Sequence, residues 1–287
     1  MESLTSHHLL PPFADGIKTA PLVSVSFVKL QAGDSEESNT FFKACQELGF
    51  FYLDLLGSEL GEKIIAEAER LNTVQKQFFK LPNNVKDIYG RPHLDPFYAY
   101  RYNELDAKDE NGVTLRGENY NAPPSEFDEA RAKRAEHTDF GSITILFNWL
   151  GGLQVRLPDT EEWVYVRPIP GSCVVNLGDA MVKFTAGLLR SNIHRVVPPP
   201  GEQAGLTRNS LVFFSRPEDS VVLKRLKGGI IDAQPVMETG EPEMTAHEWI
   251  MQKGTGKLPG VWTKKGFEWR ENDERLKNAP IQIAGTA

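Results

Sequence analysis

Apolar and polar positions along this chain change their rhythm near its middle. In the first part, Pro21-Leu22-Val23-Ser24-Val25-Ser26-Phe27 ends in a short alternation that predicts a strand. Phe41, Phe42, Cys45 and Leu48 share one helical face, and Gly49 stops that helix before the compact apolar strand Phe50-Phe51-Tyr52-Leu53. Ser58 stands where a cap is needed for a long helix bearing Leu60, Ile64, Ile65, Ala68, Leu71 and Val74, which Pro82 closes after Leu81. From Arg101 to Ala135 the sequence turns polar and charged around Pro123-Pro124, which predicts connecting loops and a short charged helix.

After Glu136 the period shortens. Ile143 to Phe147, Leu153 to Val155, Trp163 to Val166, Cys173 to Leu177, Arg195 to Val197 and Leu211 to Phe214 are short β-type runs. Gly151-Gly152, Pro158-Asp159, Pro170-Gly171, Gly178-Asp179 and Pro200-Gly201 punctuate them. Evenly spaced short strands with such turns predict a sandwich or jelly-roll barrel. A helix is expected around Thr245 to Gln252, followed by a polar tail. The expected architecture is therefore mainly β with flanking helices. Residues 1–102 form a helical region packed on the core, residues 103–235 the core, and residues 236–287 a terminal helix and tail, all in one structural unit.

Composition narrows the partners. With 39 acidic and 32 basic residues the net charge is −7, and no basic cluster suggests a nucleic-acid track, so a small-molecule substrate is expected. No apolar run reaches the ~20 residues a membrane helix requires, and Met1 to Pro12 lacks the pattern of a secretory signal. The chain has 2 cysteines, Cys45 and Cys173, both in apolar surroundings; they read as core residues of a cytoplasmic protein.

The candidate chemistry begins at His137-Thr138-Asp139. Residues two apart on a strand project from one face, so an imidazole and a carboxylate can share one ion. His194 opens the run His194-Arg195-Val196-Val197 several strands later, and a rolled double sheet can return it to the same place. Two histidines and one carboxylate leave coordination positions open, the arrangement of non-haem iron(II) oxygenases. Zinc, which favours tetrahedral sites richer in sulfur or nitrogen, ranks second. Spacing alone fits equally well two histidines that merely make core or surface hydrogen bonds. Arg208-Asn209-Ser210 then precedes the next strand, where a guanidinium fork and a hydroxyl on one side would grip a carboxylate. His93 and His247 have no partner at metal spacing and read as surface histidines, and His7 and His8 near the terminus read as disordered rather than as ligands.

Taken in order, these segments resemble the 2-oxoglutarate and iron(II)-dependent dioxygenases of the isopenicillin N synthase-like group, over roughly residues 20 to 220. The matching segments are Ala44 to Phe51, His137 to Leu146, Gly152-Leu153-Gln154-Val155, Trp163-Val164, Asn176-Leu177-Gly178-Asp179, Ser191 to Val196 and Arg208-Asn209-Ser210. The resemblance implies a distorted double-stranded β-helix (jelly-roll) core, with iron(II) held by His137, Asp139 and His194. It also implies 2-oxoglutarate held by Arg208 and Ser210, dioxygen as oxidant, and ascorbate as an aid in vitro. Phe214 corresponds to an aromatic that faces substrate in some relatives, and Phe184 and Phe97 are expected to complete that wall.

The chain departs from the group's pattern in places. Asn119-Tyr120-Asn121 stands near the place of the usual Asn-x-Tyr-Pro, so Asn119 and Tyr120 are the candidates for a further 2-oxoglutarate contact. Ala186 replaces a frequent Asn, and Ser26 a frequent Asp. The implied reaction oxidises a small organic molecule by hydroxylation, desaturation, ring formation or rearrangement, in specialised metabolism. A second reading keeps iron but drops 2-oxoglutarate, with Arg208 and Ser210 binding the substrate's own carboxylate. A third is a non-catalytic jelly-roll binding protein, which predicts a missing ligand; none is missing.

Overall fold

In the computed structural model, which describes residues 6–86, 107–108, 114–115, 136–235 and 243–255, helices dominate before Glu136 and strands after it. Strand β1 (Ser24–Ser26) is shorter than its pattern suggests, because Ser26 caps the short helix α1 (Phe27–Gln31), accepting the Lys29 N–H at 3.4 Å. Helix α2 (Ser35–Glu47) starts a turn and a half earlier than its apolar face predicts. Its opening turn is polar, so no hydrophobic period marks it; the Asp34 carboxylate accepting the Glu37 N–H, with Glu36 and Glu37 near the dipole's positive end, sets the start. At its far end Gly49 has φ +69°, and a Cβ there would lie 2.1 Å from the Arg190 carbonyl oxygen, so only glycine fits.

Strand β2 (Phe50–Asp54) leads to α3 (Glu59–Phe79), where the Ser58 hydroxyl accepts the Gly61 N–H as its position suggests. A short helix α4 (Asn83–Lys86) follows. Between Arg101 and Ala135 the described residues include two strands, β3 (Ala107–Lys108) and β4 (Thr114–Leu115), where loops are expected from the sequence. Two residues carry no period of their own; pairing with a neighbouring strand makes them strands.

The remaining strands are β5 (Ile143–Asn148), β6 (Leu153–Arg156), β7 (Trp163–Tyr165), β8 (Ser172–Leu177), β9 (His194–Val196) and β10 (Ser210–Ser215). They form two sheets, one ordered β1-β2-β8-β5-β10-β4-β3 and the other β7-β6-β9. All pairings except the parallel β1–β2 pair are antiparallel. Phe50, Tyr52, Leu146 and Val174 of the large sheet pack against Leu153, Val155, Val164 and nearby Val166 on the small-sheet side. The large sheet's other face meets the helices through Val25, Ala44, Cys45, Phe51, Ile65, Cys173 and Val175. Both cysteines are free and buried.

Helix α5 (Asp179–Phe184) and the terminal helix α6 (Ala246–Thr255) share a smaller core of Ala180, Leu223, Met244, Trp249 and Ile250. Thr245 and Glu248 cap α6 reciprocally, each side chain accepting the other's backbone N–H. Among the described residues no helix is long and apolar enough to cross a membrane.

Candidate metal centre

A backbone bridge brings two histidines together beside the small sheet. His137 pairs antiparallel with His194: the His137 N–H donates to the His194 carbonyl at 3.1 Å, and the His194 N–H donates back at 2.9 Å. Directly paired residues project from one face, so both imidazoles point the same way, with ring centroids 4.4 Å apart. The chain then leaves the bridge, and Asp139 lies in irregular backbone, not on a strand with His137 as the spacing suggests. The donor atoms still converge. One ligand atom from each of His137, Asp139 and His194 lies within 4.8 Å of the others, the one such group among the described residues.

Each donor is prepared by its neighbours. The Asp139 carboxylate is divided in function. Oδ2 accepts the Thr144 hydroxyl at 2.5 Å and the Asn176 side-chain amide at 2.7 Å, while Oδ1 faces the imidazole Nε2 atoms of His194 at 3.6 Å and His137 at 3.8 Å. Burial by itself would push the Asp139 carboxyl up, but the two imidazoles and the two hydrogen bonds outweigh it and hold the group below its ordinary value. On the other side, His194 Nδ1 lies 3.2 Å from the Asn192 carbonyl. A carbonyl only accepts, so Nδ1 carries the proton and Nε2 presents its lone pair to the centre. The Phe50 ring meets the His194 ring edge-on, centroids 5.4 Å apart. The Asp139 and His194 side chains are 6% and 10% exposed and that of His137 40%, so the centre is open on one side.

A close turn fixes Asp139. The Asp179 N–H donates to the Asp139 carbonyl at 2.8 Å, and the Thr138 hydroxyl donates to the Asp179 carboxylate at 3.0 Å. Gly178 lies against this turn so tightly that a Cβ would stand 2.3 Å from the Gly141 carbonyl oxygen. Asn176-Leu177-Gly178-Asp179, noted in the sequence without a role, thus supports both the carboxylate and its backbone.

Arg208 and Ser210 meet as expected, although Arg208 precedes β10 and does not share a strand with Ser210. Both are 1% exposed; Arg208 Nε donates to the Gly151 carbonyl at 2.9 Å and Nη1 to the Ser210 hydroxyl at 3.3 Å. Phe214 pairs with Thr144 across β10 and β5, so it starts from the face on which Thr144 reaches Asp139. Phe184 packs beside Phe140 against the Trp249 cluster. Phe97, Asn119 and Tyr120 lie outside the described residues.

Thr144, Asn176 and Asn192 hydrogen-bond the candidate donors, and sequence reasoning does not single them out. A signal existed for two of them: Thr144 and Asn176 are polar residues inside apolar strands, and they pair directly across β5 and β8.

Residues 114–217 match the model of the 2OG-Fe(II) oxygenase superfamily. The chain is 26% identical to a 2-oxoglutarate-dependent dioxygenase of Aspergillus fumigatus, over 91% of each chain. It is also 26% identical to a 2-oxoglutarate-dependent dioxygenase of Glarea lozoyensis, over 76% of this chain and 86% of that one. Among solved structures it is similar to a Neurospora crassa protein in complex with alpha-KG and 5-formyluracil, with TM-score 0.61 and 18% identity over 90% of this chain and 100% of that one. At that identity the likeness speaks for the fold: a double-stranded β-helix core flanked by helices.

Proposed function

We propose that this chain, which belongs to the 2OG-Fe(II) oxygenase superfamily and is an iron(II)- and 2-oxoglutarate-dependent dioxygenase, holds iron through His137, Asp139 and His194 and the distal carboxylate of 2-oxoglutarate through Arg208 and Ser210. Its cofactors are iron(II), 2-oxoglutarate and dioxygen. One observation carries the assignment of the ligands: three donor atoms converge within 4.8 Å while the second carboxylate oxygen of Asp139 and Nδ1 of His194 are already engaged. The donor set, two imidazole nitrogens and one carboxylate oxygen, suits iron(II) with three positions left open.

Bound iron and 2-oxoglutarate supply oxidation by dioxygen, with 2-oxoglutarate leaving as succinate and CO₂. The chain's residues prepare that chemistry. Thr144 and Asn176 hold Asp139 so that one oxygen faces the centre, and the Asn192 carbonyl sets the His194 tautomer. Phe50 and the apolar interior behind it keep water from the buried side. The Gly151 carbonyl fixes one edge of Arg208, which leaves the guanidinium plane no freedom to swing and presents it beside the Ser210 hydroxyl. Phe214 forms one wall of the substrate pocket, with Phe184 and Phe97 assigned to the remainder and Asn119 and Tyr120 to the 2-oxoglutarate side.

The substrate is a small organic molecule that is hydroxylated, desaturated, cyclised or rearranged. Fungal 2-oxoglutarate-dependent dioxygenases among the relatives support a place in specialised metabolism, and two free buried thiols support a cytoplasmic protein. Succinate formation from 2-oxoglutarate, measured with and without candidate substrates, tests the reading. It should require iron(II) and match product one for one. Product formed without succinate would move the enzyme to the oxidase reading.

A further inference from the structure

Behind the two histidines, on the outer face of the small sheet, lies a polar cluster that the proposed iron chemistry does not use. Strand β9 alternates, with His194 and Val196 buried and facing inward and Arg195 facing out. The His137–His194 bridge places Glu136 directly opposite Arg195 on that outer face, just as it places the two imidazoles opposite each other inside. Arg195 Nη1 donates to Glu136 Oε1 at 3.2 Å, Nε donates to Gln154 Oε1 at 2.9 Å, and the guanidinium lies over the Trp163 ring, 4.1 Å from its centroid. The ion pair is largely shielded, with side-chain exposures of 13% and 21%.

We propose that Arg195 is a positioning residue for the metal centre: through Glu136 it clamps the segment carrying His137 to the strand carrying His194. The inference rests on the reading that both histidines bind iron. The mechanical argument is direct. Among the described residues His137 meets the small sheet through an isolated bridge, with two backbone hydrogen bonds shared with His194. A rotation of that bridge would separate the imidazole nitrogens, and Arg195 opposes it from behind. Gln154 on β6 and Trp163 on β7 hold the guanidinium in plane, so the clamp is referred to the whole small sheet. A lysine would keep the charge toward Glu136 but lose the planar fork and the second hydrogen bond.

Groups that orient metal ligands are worth roughly 10- to 100-fold in metal affinity, and one acting through the backbone belongs at the lower end. The experiment is an anaerobic titration of the metal-free full chain with iron(II), read as affinity, beside thermal melting. Arg195→Met and Glu136→Gln should each weaken iron binding about 10-fold. The double variant should be no weaker than either single one, because both act through the same pair. Arg195→Lys should recover part of the loss. If Arg195→Met does not fold, Glu136→Gln and Arg195→Lys carry the test. Wild-type affinity in the folded single variants, or additive losses in the double, would overturn the proposal. His194→Ala separates the two levels: if it keeps wild-type iron affinity the ligand reading fails, and if it alone loses iron only the clamp fails.

Discussion

The two sheets that meet at the metal centre are held by different forces. The large sheet packs apolar side chains from both faces, with Phe50, Leu146 and Val174 turned inward and Phe51, Cys173 and Val175 turned toward the helices. The small sheet is apolar on its inner face, while its outer face carries Gln154, Trp163 and Arg195 joined by polar and cation–π contacts. Asp139 is tied to the first through Thr144 and Asn176, and His194 belongs to the second. Burial makes the large sheet a stable framework but leaves directions loosely set; hydrogen bonds and planar stacking add little net stability but fix angles. Framework and aim are therefore separable in this molecule, and substitutions should distinguish them.

The largest effect is expected at the ligands. His137→Ala, Asp139→Ala and His194→Ala should each abolish turnover while the melting temperature stays near that of the parent chain, because ligands act as a unit. Full activity in any of them would remove that residue from the centre. Framework loss should look different. Phe50 is 1% exposed and touches both the inner core and the His194 ring, so Phe50→Ala should cost about 3–5 kcal/mol in denaturant unfolding. Iron affinity in the folded fraction should change less than in the ligand variants; an intact stability would contradict the account of the core.

Arg208 is aimed in the same way, by hydrogen bonds to the Gly151 carbonyl and the Ser210 hydroxyl. Arg208→Ala should raise the 2-oxoglutarate concentration needed for half-maximal turnover on the order of 100-fold, with Arg208→Lys recovering only part. An unchanged 2-oxoglutarate requirement would remove the clamp assignment. The smallest effect is a protection. Burial pushes the Cys45 and Cys173 thiols up to about 12, so both stay protonated and unreactive at pH 8 in the folded chain. Iodoacetamide at pH 8 should label neither until denaturant is added, and rapid labelling under native conditions would show that the helix-facing core opens.

How much of this was legible in the sequence depended on what kind of information each feature carries. The long helix α3 announces itself by its apolar period and by Ser58, and the strands after Glu136 by their spacing and turns. The start of α2 does not, because Ser35-Glu36-Glu37 has no apolar residue and the signal rests on one cap. Strands β3 and β4 are made by pairing with neighbours, which no local pattern encodes. The group His137, Asp139 and His194 is legible from residue types and order, although Asp139 lies off the strand. The places of Thr144, Asn176 and Arg195 are not legible there, because they depend on β8 lying beside β5 and on the register of His137 against His194. Neighbourhood across a sheet is a tertiary property, and single-sequence periodicity does not contain it.

In the proposed site His137, Asp139 and His194 hold an iron that 2-oxoglutarate chelates while Arg208 grips its far carboxylate. Visible absorption of the anaerobic protein with iron(II), titrated with 2-oxoglutarate, measures this most directly, because the chelate absorbs by charge transfer from metal to 2-oxoacid. The parent chain should develop the band with one iron per chain, Asp139→Ala should not, and Arg208→Ala should need a much higher 2-oxoglutarate concentration to reach it. A band of undiminished intensity and midpoint in both variants would contradict the account.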